Sequence, residues 1–187
     1  MTETESRRPA PGTLALVEQF INSREMPDGD DELASPDQAA GWLRSQGSEA
    51  ERLSDRDLRR LTATREGLRD LLEAHTGENV DPGVAVRLQK LLGGASLRPM
   101  LSAHGASLVA GAQGVDGFLG RLSAAIIEAT LTGTWERLKV CRRDQCRWAY
   151  YDHSKNGSGA WCSMRTCGTR EKARAYRARQ RDPSATG

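Results

Sequence analysis

Four cysteines constrain this chain more than any other feature of its sequence. All of them lie after residue 140, and the spacing C-x4-C-x15-C-x4-C is formed by Cys141, Cys146, Cys162 and Cys167. Two pairs of cysteines, each close in sequence, allow two local turns to hold one metal ion, and thiolates are favoured ligands of tetrahedral Zn²⁺. Because four protein ligands leave no position for water, the spacing predicts one structural zinc ion rather than a catalytic one.

Other uses of these cysteines stay open from the residues alone. A pair of disulfides is one, although residues 1–12 are polar and lack the apolar segment of a secretory signal. A redox-active set of thiols is another, since Arg142, Arg143 and Arg165 would lower the pKa of a nearby thiol. His153 is a further candidate ligand in place of one cysteine.

The segment around the cysteines, residues 137–181, is predicted to be a small zinc-stabilised finger made of a β-hairpin and a helix. It is too short to bury an adequate core without a metal. The run Trp148–Tyr151 favours a strand and Asn156–Gly159 a turn, so we expect the hairpin between the two cysteine pairs. The aromatic residues are expected to pack around the zinc, with stacking on nucleobases as the alternative.

A basic helix is predicted after the last cysteine. Thr169 is its expected cap, and Ala, Arg, Lys and Glu favour a helix up to Arg181. Its candidate phosphate contacts are Arg170, Lys172, Arg174, Arg177, Arg179 and Arg181. A helix with charges of one sign indicates an anionic partner, and DNA is the hypothesis we favour. A solvated surface and an acidic surface of the transcription machinery are the alternatives.

The charge is divided between two halves of the chain. Residues 1–136 contain 14 basic and 21 acidic residues, a net charge of −7, whereas residues 137–187 contain 13 basic and 4 acidic residues, a net charge of +9. This asymmetry predicts an acidic body that carries a basic module. The body is expected to face away from DNA.

The body, residues 13–136, is predicted to be mainly α with one small β-hairpin over residues 96–112, turning at His104-Gly105. Helix starts are indicated at Ser35-Pro36, at Ser54 with Asp57, and at Asp81-Pro82. The helix that begins after Ser54 ends at Gly77 and places Arg65 and His75 on a leucine-rich side. Residues 1–12 and 182–187 are expected to be disordered.

Nothing in the body indicates catalysis. His75 and His104 are expected to pack or to sit in a turn rather than to bind a ligand, and no carboxylate pair is spaced for acid and base work. We therefore expect that the chain is not an enzyme. No apolar run approaches the length needed to cross a bilayer, so no membrane contact is expected.

The cysteine segment closely resembles the CGNR zinc finger. The residues that carry the resemblance are Cys141 and Cys146, Arg147-Trp148, Tyr151-Asp152, Ser154-Lys155-Asn156, Trp161-Cys162-Ser163-Met164, Cys167-Gly168-Thr169-Arg170 and Lys172-Ala173-Arg174. Thr169 stands where the family's name motif has Asn, and Gly157 and Gly159 stand where basic residues are common. These departures leave less positive charge in the turn and give the helix more of the expected phosphate contact.

The front of the body looks like the ABATE domain that precedes this finger. The matching stretches are Leu14–Ser23, Glu32–Pro36 and Trp42-Leu43. The resemblance implies a bacterial, stress-induced transcription regulator whose finger binds DNA. We therefore expect a cytoplasmic, nucleoid-associated regulator whose body senses an unidentified ligand or forms a homodimer. The alternatives are a zinc-stabilised protein-interaction module and a thiol-zinc redox sensor.

Overall fold

The structure is a computed structural model that describes residues 8–27 and 29–181, without the side chains of Ala175, Ala178, Arg179 and Arg181. Residues 1–7 and 182–187, for which the sequence predicts disorder, lie outside it. The helices of the described part are α1 Leu14–Ile21, α2 Pro36–Ser45, α3 Asp55–Leu71, α4 Gly83–Leu91, α5 Gly114–Leu131 and α6 Thr169–Arg181. Its strands are β1 Leu97–Ser102, β2 Gly105–Ala110, β3 Leu138–Val140 and β4 Ala149–Tyr151. The predicted fold class is confirmed.

Local capping explains where the helices begin and end. The Ser35 hydroxyl accepts the Gln38 amide at 3.3 Å at the start of α2, and Pro36 occupies the first helical position. Ser54 and Asp57 cap each other reciprocally at the start of α3. Helix α3 continues as a tighter 3₁₀ turn and stops at Gly77, whose φ of +83° suits glycine.

Three aromatic rings form the centre of the body's core. Phe20 of α1, Trp42 of α2 and Phe118 of α5 have centroids 5.1 to 5.8 Å apart, and two of the three contacts are edge to face. Buried leucines of α3, such as Leu61 and Leu68, belong to the same core. The helices therefore surround one apolar interior.

The predicted first hairpin is present. Strands β1 and β2 pair antiparallel from Leu97 with Ala110 to Ser102 with Gly105, and the turn includes His104. Its base packs on α5, where a Cβ placed on Gly120 would lie only 3.1 Å from the Ala110 Cβ. The rest of the hairpin, residues 98–108, is exposed to solvent.

The second hairpin differs from the prediction in its partner strand. We expected β4 to pair within the segment between the two cysteine pairs, but it pairs with β3, which precedes the first cysteine. A further backbone hydrogen bond, from the Cys141 amide to the Trp148 carbonyl at 3.0 Å, extends this ladder. The first cysteine pair therefore lies in the loop of the hairpin.

One face of this second hairpin is part of the body's core. Leu138, Val140, Ala149 and Tyr151 are buried in the same apolar cluster as Phe20 and Phe118. Because side chains alternate along a strand, the other face, with Tyr150, points towards the cysteines. The segment 137–181 is thus built into the body rather than appended to it.

Residues 8–12, part of the stretch for which we predict disorder, pack on the fold. Ala10 is buried, and its amide donates to the Glu18 carboxylate at 2.6 Å. His153 contacts the carbonyls of Arg8 and Pro9 at 2.9 and 3.2 Å. This position of His153 takes it away from the metal-ligand role considered above. No helix in the described ranges is long and apolar enough to span a membrane.

Leu138→Ala should destabilise the body and the finger together. Leu138 is fully buried in the shared core, so truncation should cost about 2–5 kcal/mol. Urea unfolding followed by fluorescence and by far-UV circular dichroism should give one shifted transition with both probes. Leu131→Ala, at a position that is 82% exposed, is the matched control and should change stability by less than about 0.5 kcal/mol. Two separate transitions, with only one affected, would contradict a shared core.

Candidate metal centre

The four cysteine sulfurs form a compact cluster. All four Sγ atoms lie within 4.8 Å of one another, and the Cys146–Cys162 and Cys162–Cys167 distances are both 3.6 Å. Four sulfurs about 2.3 Å from a tetrahedral zinc ion would lie about 3.8 Å apart. A disulfide would bring a pair to about 2.05 Å, and all four cysteines are free. The geometry therefore fits a metal ion and not the disulfide alternative.

Two tight turns place the ligands. Cys141 directly follows β3, and the Cys146 and Arg147 amides both donate to the Arg143 carbonyl, at 2.7 and 3.1 Å. Arg147 adopts a left-handed conformation with φ +43°, which is uncommon for a residue other than glycine. This turn aims Cys146 back at Cys141.

The second pair flanks and enters a helical turn over Met164–Gly168, which Cys162 precedes by two residues and which leads directly into α6. The Ser163 hydroxyl accepts the Thr166 amide at 3.3 Å at its start. Cys167 lies within this turn, and a Cβ on Gly168 would lie 3.0 Å from the Met164 sulfur and 3.3 Å from the Trp161 ring. Glycine at this position lets the helix start close against the site.

The cysteines cannot all ionise without a cation. Hydrogen bonds from Cys146 and Cys162, with further ones from backbone amides, lower the pKa of Cys141 to about 2. The Cys146 thiol donates a hydrogen bond to this thiolate, and this contact raises the pKa of Cys146 to about 12. A divalent ion would remove this conflict by drawing all four thiols into the ionised form. The donor set thus fits Zn²⁺, held by Cys141, Cys146, Cys162 and Cys167.

Aromatic side chains enclose the cysteines on one side. Tyr150 is 1% exposed and packs with Cys141 and Cys167, and Trp161 packs against the same cluster. The Tyr150 hydroxyl donates to the Gly159 carbonyl at 2.8 Å. These two residues pack around the metal site as the sequence predicts. Tyr151 instead belongs to the body's core, and Met164 is largely exposed.

Residues 14–133 match the ABATE family model, described as "Putative stress-induced transcription regulator", and residues 137–180 match the CGNR zinc finger. The chain belongs to the ABATE family. The two matches follow each other in the order that the sequence indicates, and the first spans more than half of the chain. A search of curated proteins finds no match. With the finger family and the cysteine cluster together, one structural zinc is established for this chain.

A buried ion pair that the sequence analysis missed shapes the CGNR finger. The Lys139 ammonium, on the strand face opposite the core, donates to the Asp152 carboxylate at 3.1 Å and also to the Gly157 and Gly159 carbonyls. Burial opposes ionisation of Asp152, but hydrogen bonds from Ser154 and Gly159 and from Lys139 outweigh it and hold the pKa of Asp152 well below its usual range. These contacts fix the turn after β4.

The contacts of Lys139 and Asp152 also account for Gly157 and Gly159, which stand where basic residues are common in this finger family. Gly157 has φ +57°, a conformation that glycine adopts without strain. A Cβ on Gly159 would lie 2.9 Å from the Asp152 carboxylate, which accepts the Gly159 amide at 2.7 Å. In this chain the two positions are used to close the turn around Lys139.

A buried arginine of α3, Arg69, joins the ABATE body to the finger. Arg69 is fully buried and donates to the Ile21 carbonyl at 2.6 Å and to the Arg147 carbonyl at 2.8 Å. The Arg147 guanidinium in turn donates to Asp70 at 2.7 Å and to Glu73 at 2.8 Å. The turn that carries Cys146 is therefore held by the end of α3.

Two further sets of contacts connect the body and the finger. The Asn22 side chain exchanges a pair of 2.8 Å hydrogen bonds with the backbone of Ala149, so it pairs with β4 as another strand would. Arg142 contacts Glu78 at 3.1 Å and the Thr76 carbonyl. The basic finger and the acidic body thus meet through opposite charges.

The predicted phosphate-binding residues share the exposed helix α6. Arg170, Lys172, Arg174 and Arg177 are exposed, whereas the side chains of Arg179 and Arg181 lie outside the described structure. Glu171 lies 3.9 Å from Arg143 and 3.8 Å from Arg174. The one acidic residue of α6 is thus next to two arginines, and the net charge of the helix stays strongly positive.

The two body histidines occupy the positions that the sequence predicts, one packed and one in a turn. His75 contacts the Leu138 carbonyl at 2.7 Å and lies edge to face with Trp135, and its burial lowers its pKa. His104 lies in the exposed turn of the first hairpin. The prediction that the chain is not an enzyme stays a prediction.

Purified protein should contain about one zinc per chain, and Cys162→Ser should lower that content sharply. Removal of zinc with a chelator should lower the melting temperature of the whole chain, because β4 packs on both the site and the core. Elemental analysis and calorimetry measure these two effects. Ser158→Ala, at an exposed position of the finger turn, is the control and should leave both unchanged. An unchanged melting temperature of the metal-free protein would contradict the structural role.

The double variant Asp70→Asn, Glu73→Gln should lose about 1–2 kcal/mol of stability, because the half-buried Arg147 guanidinium loses both carboxylates. The loss should shrink in high salt, which screens the pairs in the wild type. Urea unfolding at low and high salt measures it. Glu49→Gln, Glu51→Gln removes the same charge from exposed positions and should have little effect. An equal loss in this control would indicate a general charge effect instead.

Proposed function

We propose that this ABATE-family protein is a DNA-binding transcription regulator whose contact with DNA is helix α6. The observation that carries the proposal is the position of α6, which begins directly at the metal site and exposes Arg170, Lys172, Arg174 and Arg177. A zinc-anchored helix with cationic side chains is suited to the phosphates and the major groove of DNA.

The exposed arginines of α6 lie along one side of the helix, an arrangement that is suited to contact with a row of DNA phosphates. Successive helix residues are about 100° apart, so Arg170, Arg174 and Arg177 project within an arc of about 60°. The Arg174 side chain is 71% exposed. A helix of 13 residues is about 20 Å long, which is enough to follow a groove across several phosphates.

Four other basic residues of the finger are engaged within the protein, and this concentrates the proposed DNA contact on α6. Arg137 donates to the carbonyls of Asp152 and Ser154, and Lys139 is buried in its ion pair with Asp152. Arg142 and Arg147 pair with carboxylates of the body. The net charge of the finger therefore overstates the charge available to a ligand.

The body would then supply regulation rather than DNA contact. Its net charge is negative, and it holds the finger through Arg69, Arg147 and Asn22, so a change in the body would reach the metal turn directly. A ligand that the body senses, a location at the nucleoid and the absence of catalysis are part of this proposal. The protein-interaction alternative predicts partners that survive nuclease treatment.

Arg170→Ala, Arg174→Ala, Arg177→Ala should weaken DNA binding about 10- to 1,000-fold and reduce the slope of log K against log salt by about 3. Fluorescence anisotropy with a labelled duplex over a range of salt concentrations measures both. The control Arg56→Ala, Arg59→Ala, Arg87→Ala removes the same charge from exposed sites of the body and should leave the slope unchanged. Binding that is independent of salt, or equal losses in both variants, would refute the proposal.

A further inference from the structure

Helix α6 carries one acidic residue on a surface that is otherwise basic. Residues 169–181 contain six arginines and lysines, and Glu171 is their one acid. A carboxylate on a helix that contacts DNA repels the phosphates, so charge alone gives no reason for its presence. The side chain of Glu171 is 22% exposed, whereas that of Arg174 is 71% exposed. Glu171 therefore faces the protein rather than the proposed partner.

The partner of Glu171 lies in the turn that carries the first cysteine pair. The Arg143 Nε is 3.9 Å from the Glu171 Oε1, and the Arg143 side chain is 19% exposed. The Arg143 backbone is itself part of the metal turn, because its carbonyl accepts the amides of Cys146 and Arg147 at 2.7 and 3.1 Å. Since both side chains are mostly shielded from water, salt screens this pair less than a surface pair. Within the described part of the chain, this ion pair joins α6 to the first cysteine pair.

The start of α6 is attached to the second cysteine pair. The helix follows Gly168 directly, and the Thr169 hydroxyl donates to the Met164 carbonyl at 3.0 Å. A helix that is held at one end can swing, whereas a contact with a second, separate turn fixes the direction of its axis. An isolated helix of 13 residues is also marginal in water, and its like charges repel one another. Support from outside the helix therefore contributes to its order and to its direction.

We propose that Glu171 is a positioning residue, which uses its ion pair with Arg143 to hold α6 in the orientation that contacts DNA. The inference rests on the proposed function, in which the arginines of α6 contact phosphates. Around the helix, Glu171 lies about 90° from the middle of the row of exposed arginines, so it holds α6 from the side. Its second carboxylate oxygen is 3.8 Å from the Arg174 Nη1. The same carboxylate thus also orients an arginine of the proposed DNA contact.

The ion pair predicts that Glu171→Gln weakens DNA binding although it removes a negative charge from the DNA-binding helix. Fluorescence anisotropy with the full-length zinc protein and a labelled duplex should show a loss of about three- to tenfold. Charge alone predicts the opposite sign, that is, tighter binding. Asp144→Asn is the matched control, because Asp144 is exposed in the same turn as Arg143 and the change removes the same charge. The control should not weaken binding.

A double-mutant cycle separates the ion pair from effects of Glu171 alone. Once Arg143→Gln has removed the partner, Glu171→Gln should no longer weaken binding and should tighten it slightly, as expected from its charge. An acidic residue in the first turn also interacts favourably with the helix dipole, and that effect predicts the same loss with and without Arg143. Equal losses in the two backgrounds would overturn the proposal.

Hydrogen exchange of the free protein provides a measurement that does not involve DNA. Amides of residues 173–178 should exchange at least about threefold faster in Glu171→Gln than in the wild type, while zinc content and the exchange of β3 and β4 stay unchanged. Unchanged exchange of α6 would overturn the proposal.

The triple arginine variant of α6 distinguishes failure of this inference from failure of the proposed function. If that variant loses DNA binding while Glu171→Gln binds as tightly as the wild type or more tightly, the inference is wrong and the proposed function stands. If the triple variant binds as the wild type does, the proposed function is wrong, and the inference that rests on it is wrong as well.

Discussion

The burial of one short hairpin on both faces holds this molecule together. Strands β3 and β4 place Leu138, Val140 and Tyr151 in the core of the body, and β4 places Tyr150 against the cysteines. Alternation along a strand makes this division automatic, since neighbouring residues point to opposite sides. The same two strands therefore contact both the metal site and the apolar core, and we expect the zinc ion to stabilise more than its own finger.

The division of charge along the sequence acquires a different meaning once the fold is known. Its first interpretation is an acidic body that avoids DNA and a basic finger that seeks it. Some of the opposite charge is instead paired within the molecule at partly exposed positions, where Arg142 meets Glu78 and Arg147 meets Asp70 and Glu73. What is left for an anionic partner is mainly the exposed face of α6, which makes the helix a smaller and better defined surface than the net charge indicates.

Local rules made part of this structure predictable. Four cysteines in two close pairs indicate a common metal centre, and Ser54 and Gly77 delimit a helix through contacts within a few residues. The partner of β4 was wrong in the prediction, because β3 is so short that its three residues carry no strand pattern of their own. The pairing of so short a strand depends on its contacts in the core, which cannot be read from the sequence.

The contacts between the body and the finger could not be predicted from the sequence for a related reason. Asn22 and Ala149 are 127 residues apart, and Arg69 and Arg147 are 78 apart, so no local spacing connects them. Arg65 on the leucine-rich side of α3 was a visible exception to the rule that arginine stays at the surface. It is 1% exposed and donates two hydrogen bonds, of 2.6 and 2.8 Å, to the Asp31 carboxylate. The charged Arg65 on an apolar face therefore indicated the importance of α3. This helix holds the loop after α1 through Arg65 and, one turn further on, the metal turn through Arg69.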